Sequence, residues 1–228
     1  MPRIAIAMSF SVQSSLRAVA ATVTLGLATI AATSPPASTK NASMDLLARA
    51  TDPNPTLNSY TASAQLSALL HAVIPVHKSF GGKVYYLRPH RKIEFQNVSG
   101  ALSRFRDLAS TTPTYDQAMR ENAITPLTDN GTVSTYSMVP KKTGGRVKSI
   151  VVTITDQTAL LKSAQWNYTN GGTLSFSQTY MNVGNFRLPA KAEINAHFPD
   201  YSVDGTLTFS NYEPNATVSP SVFASPNG

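Results

Sequence analysis

Apolar and polar residues alternate with a period of two along most of the chain, and that period predicts strands. Tyr60, Ala62, Ala64, Leu66, Ala68, Leu70 and Ala72 alternate with Thr61, Ser63, Gln65, Ser67, Leu69 and His71. This is the pattern of one long, half-buried strand. The stretch S-F-G-G reads as a turn, followed by strands over about 82–88 and 91–98. Pro89 has no N–H and forces Arg88 to be extended, which fits a turn between those two strands.

Residues 99–130 lose the alternation. Leu102, Phe105 and Leu108 stand at helical spacing, T-Y-D-Q-A-M-R-E-N-A reads as another helix, and T-D-N-G at 128–131 as a turn. The strand period then returns. Ile150, Val152 and Ile154 share a face. So do Leu160, Ala164, Trp166 and Tyr168, interrupted at Lys162. Asn170-Gly171-Gly172 predicts a tight hairpin into Leu174, Phe176 and Tyr180. Leu188, Ala190, Ala192, Ile194, Ala196 and Phe198 form a further face, and Tyr201, Val203, Leu207 and Phe209 the last. Ahead of all the strands, S-M-D-L-L-A-R-A at 43–50 predicts a short helix with Ser43 as N-cap and Asp45 in its first turn. Pro53 and Pro55 end it.

The pattern as a whole is α+β, mainly β. It predicts a single curved antiparallel sheet with one apolar face that must be covered. Alanine at every second position of the first and penultimate strands makes that face shallow. Such a surface accommodates either a packed helix or a ligand.

Composition adds an address. Arg3 and Arg17 precede the apolar run Ala18–Ala32, and small polar residues follow. That is the order of a secretory signal, and the run is short of the about 20 residues a membrane span needs. The expected organisation is a signal peptide over 1–32, a linker over 33–42, one domain over 43–213, and a loose Pro/Ser/Asn-rich tail over 214–228. Net charge is +7, but the cations are dispersed with no basic run, so the balance does not point to nucleic acid. There is no cysteine, hence no disulfide framework and no cysteine to carry a lipid anchor.

Motifs of catalysis are missing. The four histidines show no HExxH or other compact ligand spacing, and there is no Walker loop, GxGxxG or GxSxG. No metal, cofactor or catalytic residue is expected. Asp200, Asp204 and His197 would be the residues to test for a hydrolase on a β-sheet. Five N-x-S/T triplets, at Asn41, Asn97, Asn130, Asn167 and Asn215, matter only in a eukaryotic secretory pathway.

The exported leader, a short first helix, a long strand beginning S-Y-T-A and then G-G-K-V-Y-Y-L-R-P-H-R-K-I-E-F together resemble the LolA-like family of periplasmic lipoprotein carriers. The stretch from S-T-Y-S-M-V-P-K-K to S-F-S-Q-T-Y is similar to the family's later run of strand, turn, strand and hairpin. The resemblance covers roughly residues 43–212. It implies an unclosed half-barrel with short helices as a lid over an apolar concavity, a periplasmic location, and no enzymatic activity. It implies lipoproteins or acyl lipids as cargo, membrane-bound donor and acceptor proteins as partners, and a monomer. The absence of cysteine places the chain with the soluble carriers of that family rather than with their lipoprotein receptors.

Carried over by motif, Arg88 with Pro89 would lock the lid, the arginine bonding to lid carbonyls. Acyl chains would lie against Tyr60, Leu66, Tyr86, Trp166, Tyr168, Phe176, Leu188, Ile194 and Phe209. Residues 99–130 depart from the family pattern, where two further strands are usual. A helix-like segment there implies a narrower or more open barrel. The alternative function is an envelope-stress sensor or scaffold of the same fold, which binds a protein partner and does not transport lipid.

Overall fold

A computed structural model of the chain describes residues 37–71, 75–97, 107–111 and 113–224. The expected signal peptide, the first residues of the linker, and Leu102 and Phe105 fall outside them. Eleven strands build one antiparallel sheet: β1 (Ser59–His71), β2 (Val76–Leu87), β3 (His90–Phe95), β4 (Asp107–Thr111), β5 (Asn122–Asp129), β6 (Val133–Pro140), β7 (Val147–Thr155), β8 (Leu160–Tyr168), β9 (Thr173–Val183), β10 (Phe186–Phe198) and β11 (Tyr201–Pro214). Helix α1 is Ala37–Thr51 and helix α2 is Tyr115–Glu121.

The strand order is β4-β3-β2-β1-β11-β10-β9-β8-β7-β6-β5. It is a meander whose first strand pairs with its last, β1 with β11. Strands β4 and β5 stay apart as the two edges, although they follow one another in sequence and only residues 112–121, including α2, separate them. Among the described residues the fold is therefore an unclosed barrel, mainly β with two short helices, and its single antiparallel sheet is what the alternation predicts.

Cross-strand pairs share a face, so the register defines the concave wall. One row runs Arg91, Tyr86, Tyr60. The next runs Ile93, Val84, Ala62, and the next Phe95, Gly82, Ala64, Phe209. At one end of that last row the Phe95 ring lies over Gly82. A Cβ on Gly82 would stand 2.6 Å from the Glu94 carbonyl oxygen and 2.9 Å from the Phe95 ring, so only glycine fits. The interruption at Lys162 is a β-bulge: Ser163 pairs with Thr153 and Leu161 with Ile154, which leaves Lys162 unpaired.

Four local expectations differ from the structure. Helix α1 begins at Ala37, so Ser43 and Asp45 lie inside it rather than at its cap; nothing in Ala37–Ala42 breaks a helix, and the two prolines before it in sequence suit a helix start. Strand β2 begins at Val76 and carries S-F-G-G mid-strand, because it pairs with β1 along almost its whole length. Leu108 belongs to strand β4, which the edge of β3 pairs, and not to a helix. With β5, residues 99–130 thus supply two strands besides the expected helix α2, and the barrel is not cut short there.

The C-terminal residues up to 224 are also held rather than loose. The Asn215 amide donates to the Ser59 carbonyl, and the Ser59 hydroxyl to the Ala216 carbonyl. Lys92 donates to the Val222 carbonyl at 3.0 Å, and Phe223 lies against the His90 ring. Helix α2 is capped by Thr114, whose hydroxyl accepts from the Gln117 amide.

Candidate functional site: a concave face under two covers

The concave wall carries two apolar clusters. One gathers Tyr136, Met138, Ile150, Ile154, Trp166, Tyr168 and Phe198 with Leu46 and Leu47 of helix α1. The other gathers Tyr60, Ala62, Ala64, Val84, Ile93, Phe95, Leu188, Leu207 and Phe209 with Leu57. Phe176 packs against both and joins them. The helix covers the first cluster by burying Leu46 and Leu47 almost completely. The second is covered by the segment that follows the helix, residues 52–58.

That segment is a strap tied at both ends of its crossing. On one side stands Arg88, in the turn between β2 and β3. Its guanidinium donates to the Asp52 carboxylate at 2.6 Å, to the Asn54 carbonyl at 2.6 Å, and to the Leu57 carbonyl from two nitrogens, at 2.7 and 3.2 Å. The Arg88 amide donates to the Asn58 carbonyl. The planar fork suits this convergence of acceptors, which an ammonium could not span. On the other side, Asn54 reaches the start of β10. Its amide nitrogen donates to the Arg187 carbonyl at 2.9 Å, and its side-chain oxygen accepts from the Arg187 amide at 3.0 Å. Pro89 follows Arg88 through a cis peptide bond and turns the chain into β3.

The polar groups along the wall are mostly tyrosines. Tyr60 stacks on Tyr86 at 4.9 Å between centroids and meets Tyr212 edge-on at 5.3 Å. Burial pushes the phenols of Tyr60, Tyr86 and Tyr168 above the ordinary value, and that of Tyr180 up to about 12. Burial raises Tyr212 as well. The Tyr212 hydroxyl donates to the Pro189 carbonyl and the Tyr180 hydroxyl to the Leu161 carbonyl. Trp166 Nε1 and the Tyr168 hydroxyl are different: both are buried, in the cluster that includes Leu46 and Leu47, with no hydrogen-bond partner among the described residues. A buried donor left unmatched costs about 1–3 kcal/mol, so each suits an acceptor brought in by a ligand.

The residues expected to line a cavity divide between the two clusters. Tyr60, Leu188 and Phe209 lie in the strap-covered cluster, with Leu66 and Tyr86 packed against it. Trp166 and Tyr168 lie in the helix-covered one, with Ile194 packed against it, and Phe176 touches both. Two of the residues named for hydrolase chemistry have defined neighbours. Asp204 pairs with His71 at 2.8 Å, and His197 stands opposite Ser202 and Thr173. Two residues of the site carry little or no mark in the sequence. Asn54 sits between two prolines with no pattern to mark it. Arg91 shares the strand parity of Ile93 and Phe95, which was the available signal that it faces the concave side.

No protein-family model matches the chain, and no curated protein matches it by sequence. Solved structures do match in fold. A domain from Vibrio parahaemolyticus, described as an outer membrane lipoprotein-sorting protein, superposes with a TM-score of 0.56 at 10% identity over 79% of this chain and 95% of that one. A LolA superfamily protein from Nitrosomonas europaea gives 0.54 at 6% identity, covering 80% and 97%. A DUF1329 family protein from Desulfovibrio piger gives 0.53 at 10% identity, covering 81% and 97%. The chain has the LolA-like half-barrel fold.

Proposed function

We propose that the protein is an exported, non-catalytic binder or carrier of acylated ligands. Acyl lipids, or the acyl chains of lipoproteins, enter between the concave face and its covers. Arg88, set by Pro89, holds the strap closed. Tyr60, Leu66, Tyr86, Trp166, Tyr168, Phe176, Leu188, Ile194 and Phe209 receive the chains. Export follows from the signal expected over 1–32, and the periplasm is the compartment that fits it.

The observation that carries this reading is the strap. A charged fork on four hydrogen bonds ties a short segment across the end of a long apolar face, and a polar tie can be exchanged with water at modest cost while an apolar plug cannot. The unmatched donors of Trp166 and Tyr168 add to it, because they suit the ester or amide carbonyl at the head of an acyl chain. Each methylene buried gains about 0.8 kcal/mol, so one chain gains on the order of 10 kcal/mol over water. Release must then run from one apolar site to another. The lipoprotein-sorting description of a structural neighbour agrees with the reading.

Native mass spectrometry of the protein purified from a bacterial periplasm without detergent tests it. Expected is added mass matching an acyl lipid or lipopeptide, lost on Arg88→Leu. A bare polypeptide that stays bare after mixing with lipopeptide would mean a closed core and would remove the proposal.

A further inference from the structure

We infer that Arg91 is an oxyanion-binding residue inside the concavity, placed to hold the anionic headgroup of an amphiphile whose chain lies along the strap-covered cluster. The inference rests on the acyl-binding reading for the chain and on independent geometry for the anion.

The register puts Arg91 opposite Tyr86, and Tyr86 opposite Tyr60, so the cation stands in a row of the concave wall. Its charge lies near the Tyr60 phenol and acts against the rise that burial causes there. Tyr60, Tyr86 and Tyr212 form one aromatic group beside it. The same strand continues into Ile93 and Phe95, both buried in the apolar cluster. A cation thus sits at the end of an apolar track, half-buried and within reach of a ligand.

Its neighbours along the chain show what is unusual about it. Arg88 pairs with Asp52 at 2.6 Å and Lys92 with Glu94 at 2.7 Å. Among the described residues no carboxylate forms an ion pair with Arg91. The tyrosines do not supply the missing charge, because burial keeps their phenols protonated well above neutral pH. A guanidinium carries five N–H donors, more than one phenol can engage. A carboxylate or phosphate takes the remaining donors two at a time, and in a half-buried setting the charge-assisted bonds are stronger than at an open surface. The chemistry is therefore that of an oxyanion, from a lipid headgroup or from a free anion.

The experiment compares lysophosphatidic acid with a monoacylglycerol of the same chain length, on the wild type and on Arg91→Gln, with inorganic phosphate as a third probe. The wild type should bind the anionic lipid about tenfold more tightly than the neutral one, the range of a charge-assisted contact. Arg91→Gln should erase that preference, and Arg91→Lys should restore part of it. Equal affinity for both lipids in the wild type would overturn the anion site and leave the acyl reading standing. If neither lipid binds, the acyl reading fails and phosphate decides. Shifts of tyrosine ring resonances in the wild type that vanish in Arg91→Gln would then support a free-anion site, and no shift would overturn it. Should the variants fail to fold, salt dependence of the wild type substitutes. Raising ionic strength should weaken only the anionic lipid, and an identical response of the two would overturn the inference.

Discussion

The two covered regions of the concave face solve the same problem by different physics. Over β6–β8 the cover is a helix that contributes Leu46 and Leu47 to a cluster where Tyr136, Met138 and Ile150 are fully buried. Over β1–β3 and β9–β11 the cover is a strap whose one buried apolar contribution is Leu57, with its hold coming from hydrogen bonds to Arg88 and Arg187. Apolar burial is non-directional and tolerates sliding. Hydrogen bonds are directional and are either made or exchanged for water. Opening is therefore graded under the helix and switch-like at the strap.

Substitutions under the helix should have the largest effect. Met138→Ala removes a fully buried side chain from the wall and should lower stability by about 2–5 kcal/mol in urea unfolding. Leu47→Ala, on the helix itself, should cost less than that, because the helix can lift away and so limit the penalty. Equal costs would show that wall and cover unfold as one unit and would erase the distinction between them.

Next comes the tie. Arg88→Leu should cost about 1–3 kcal/mol, chiefly through the carbonyls of Asn54 and Leu57 left without their donor. Hydrogen exchange should quicken over residues 52–58 and stay unchanged over 44–50. Faster exchange in both would mean that the two covers open together.

Alkali should discriminate between the regions as well. The buried phenols titrate above the ordinary value of 10, so above that pH the native state holds protons that the unfolded chain has lost. Stability from these groups is complete below pH 10 and falls as pH rises through their folded values, by about 1.4 kcal/mol per pH unit for each tyrosine still protonated. For Tyr180 the window runs from 10 to about 12. Tyr180→Phe should flatten the decline of stability measured by urea unfolding between those values. An unchanged slope would show that Tyr180 is not held protonated. The smallest effect is expected at the C-terminal segment: Lys92→Met releases the Val222 carbonyl and should change stability by about 1 kcal/mol or less. Limited proteolysis between 215 and 224 would reveal the release.

What could be read from the chain followed the physics of each element. Strand β1 is legible because one of its faces is buried at Tyr60, Ala62 and Ala64 and half-buried at Leu66, Ala68 and Leu70, which imposes alternation along it. The first half of β2 was not, because Val76–Ser79 is exposed and its pairing with β1, rather than its own pattern, makes it a strand. Strand β4 takes only five residues at an edge, too few to display a period. Arg88 stood out because it precedes a proline at the end of an apolar strand. Asn54 does not, since what it touches depends on a loop that no local pattern encodes, and Arg91 is marked only by its parity with Ile93 and Phe95. The cavity residues were found as apolar positions, but their division between two covers depends on how the sheet curls.

The pairing of β1 with β11 also sets a timetable. Thr208 donates to the Gln65 carbonyl across 143 residues of sequence, so the middle of the sheet forms only after nearly the whole chain is available. Contacts of such long separation make folding slow, because the loop must close before the pairing rewards it. A chain that emerges from its N-terminus must hold the β1–β2 hairpin with one side unpaired until its last long strand arrives. The hairpin that begins the molecule is in this sense the last part to be finished, and during that interval its bare edge is the place where a chaperone or an aggregate would compete with β11.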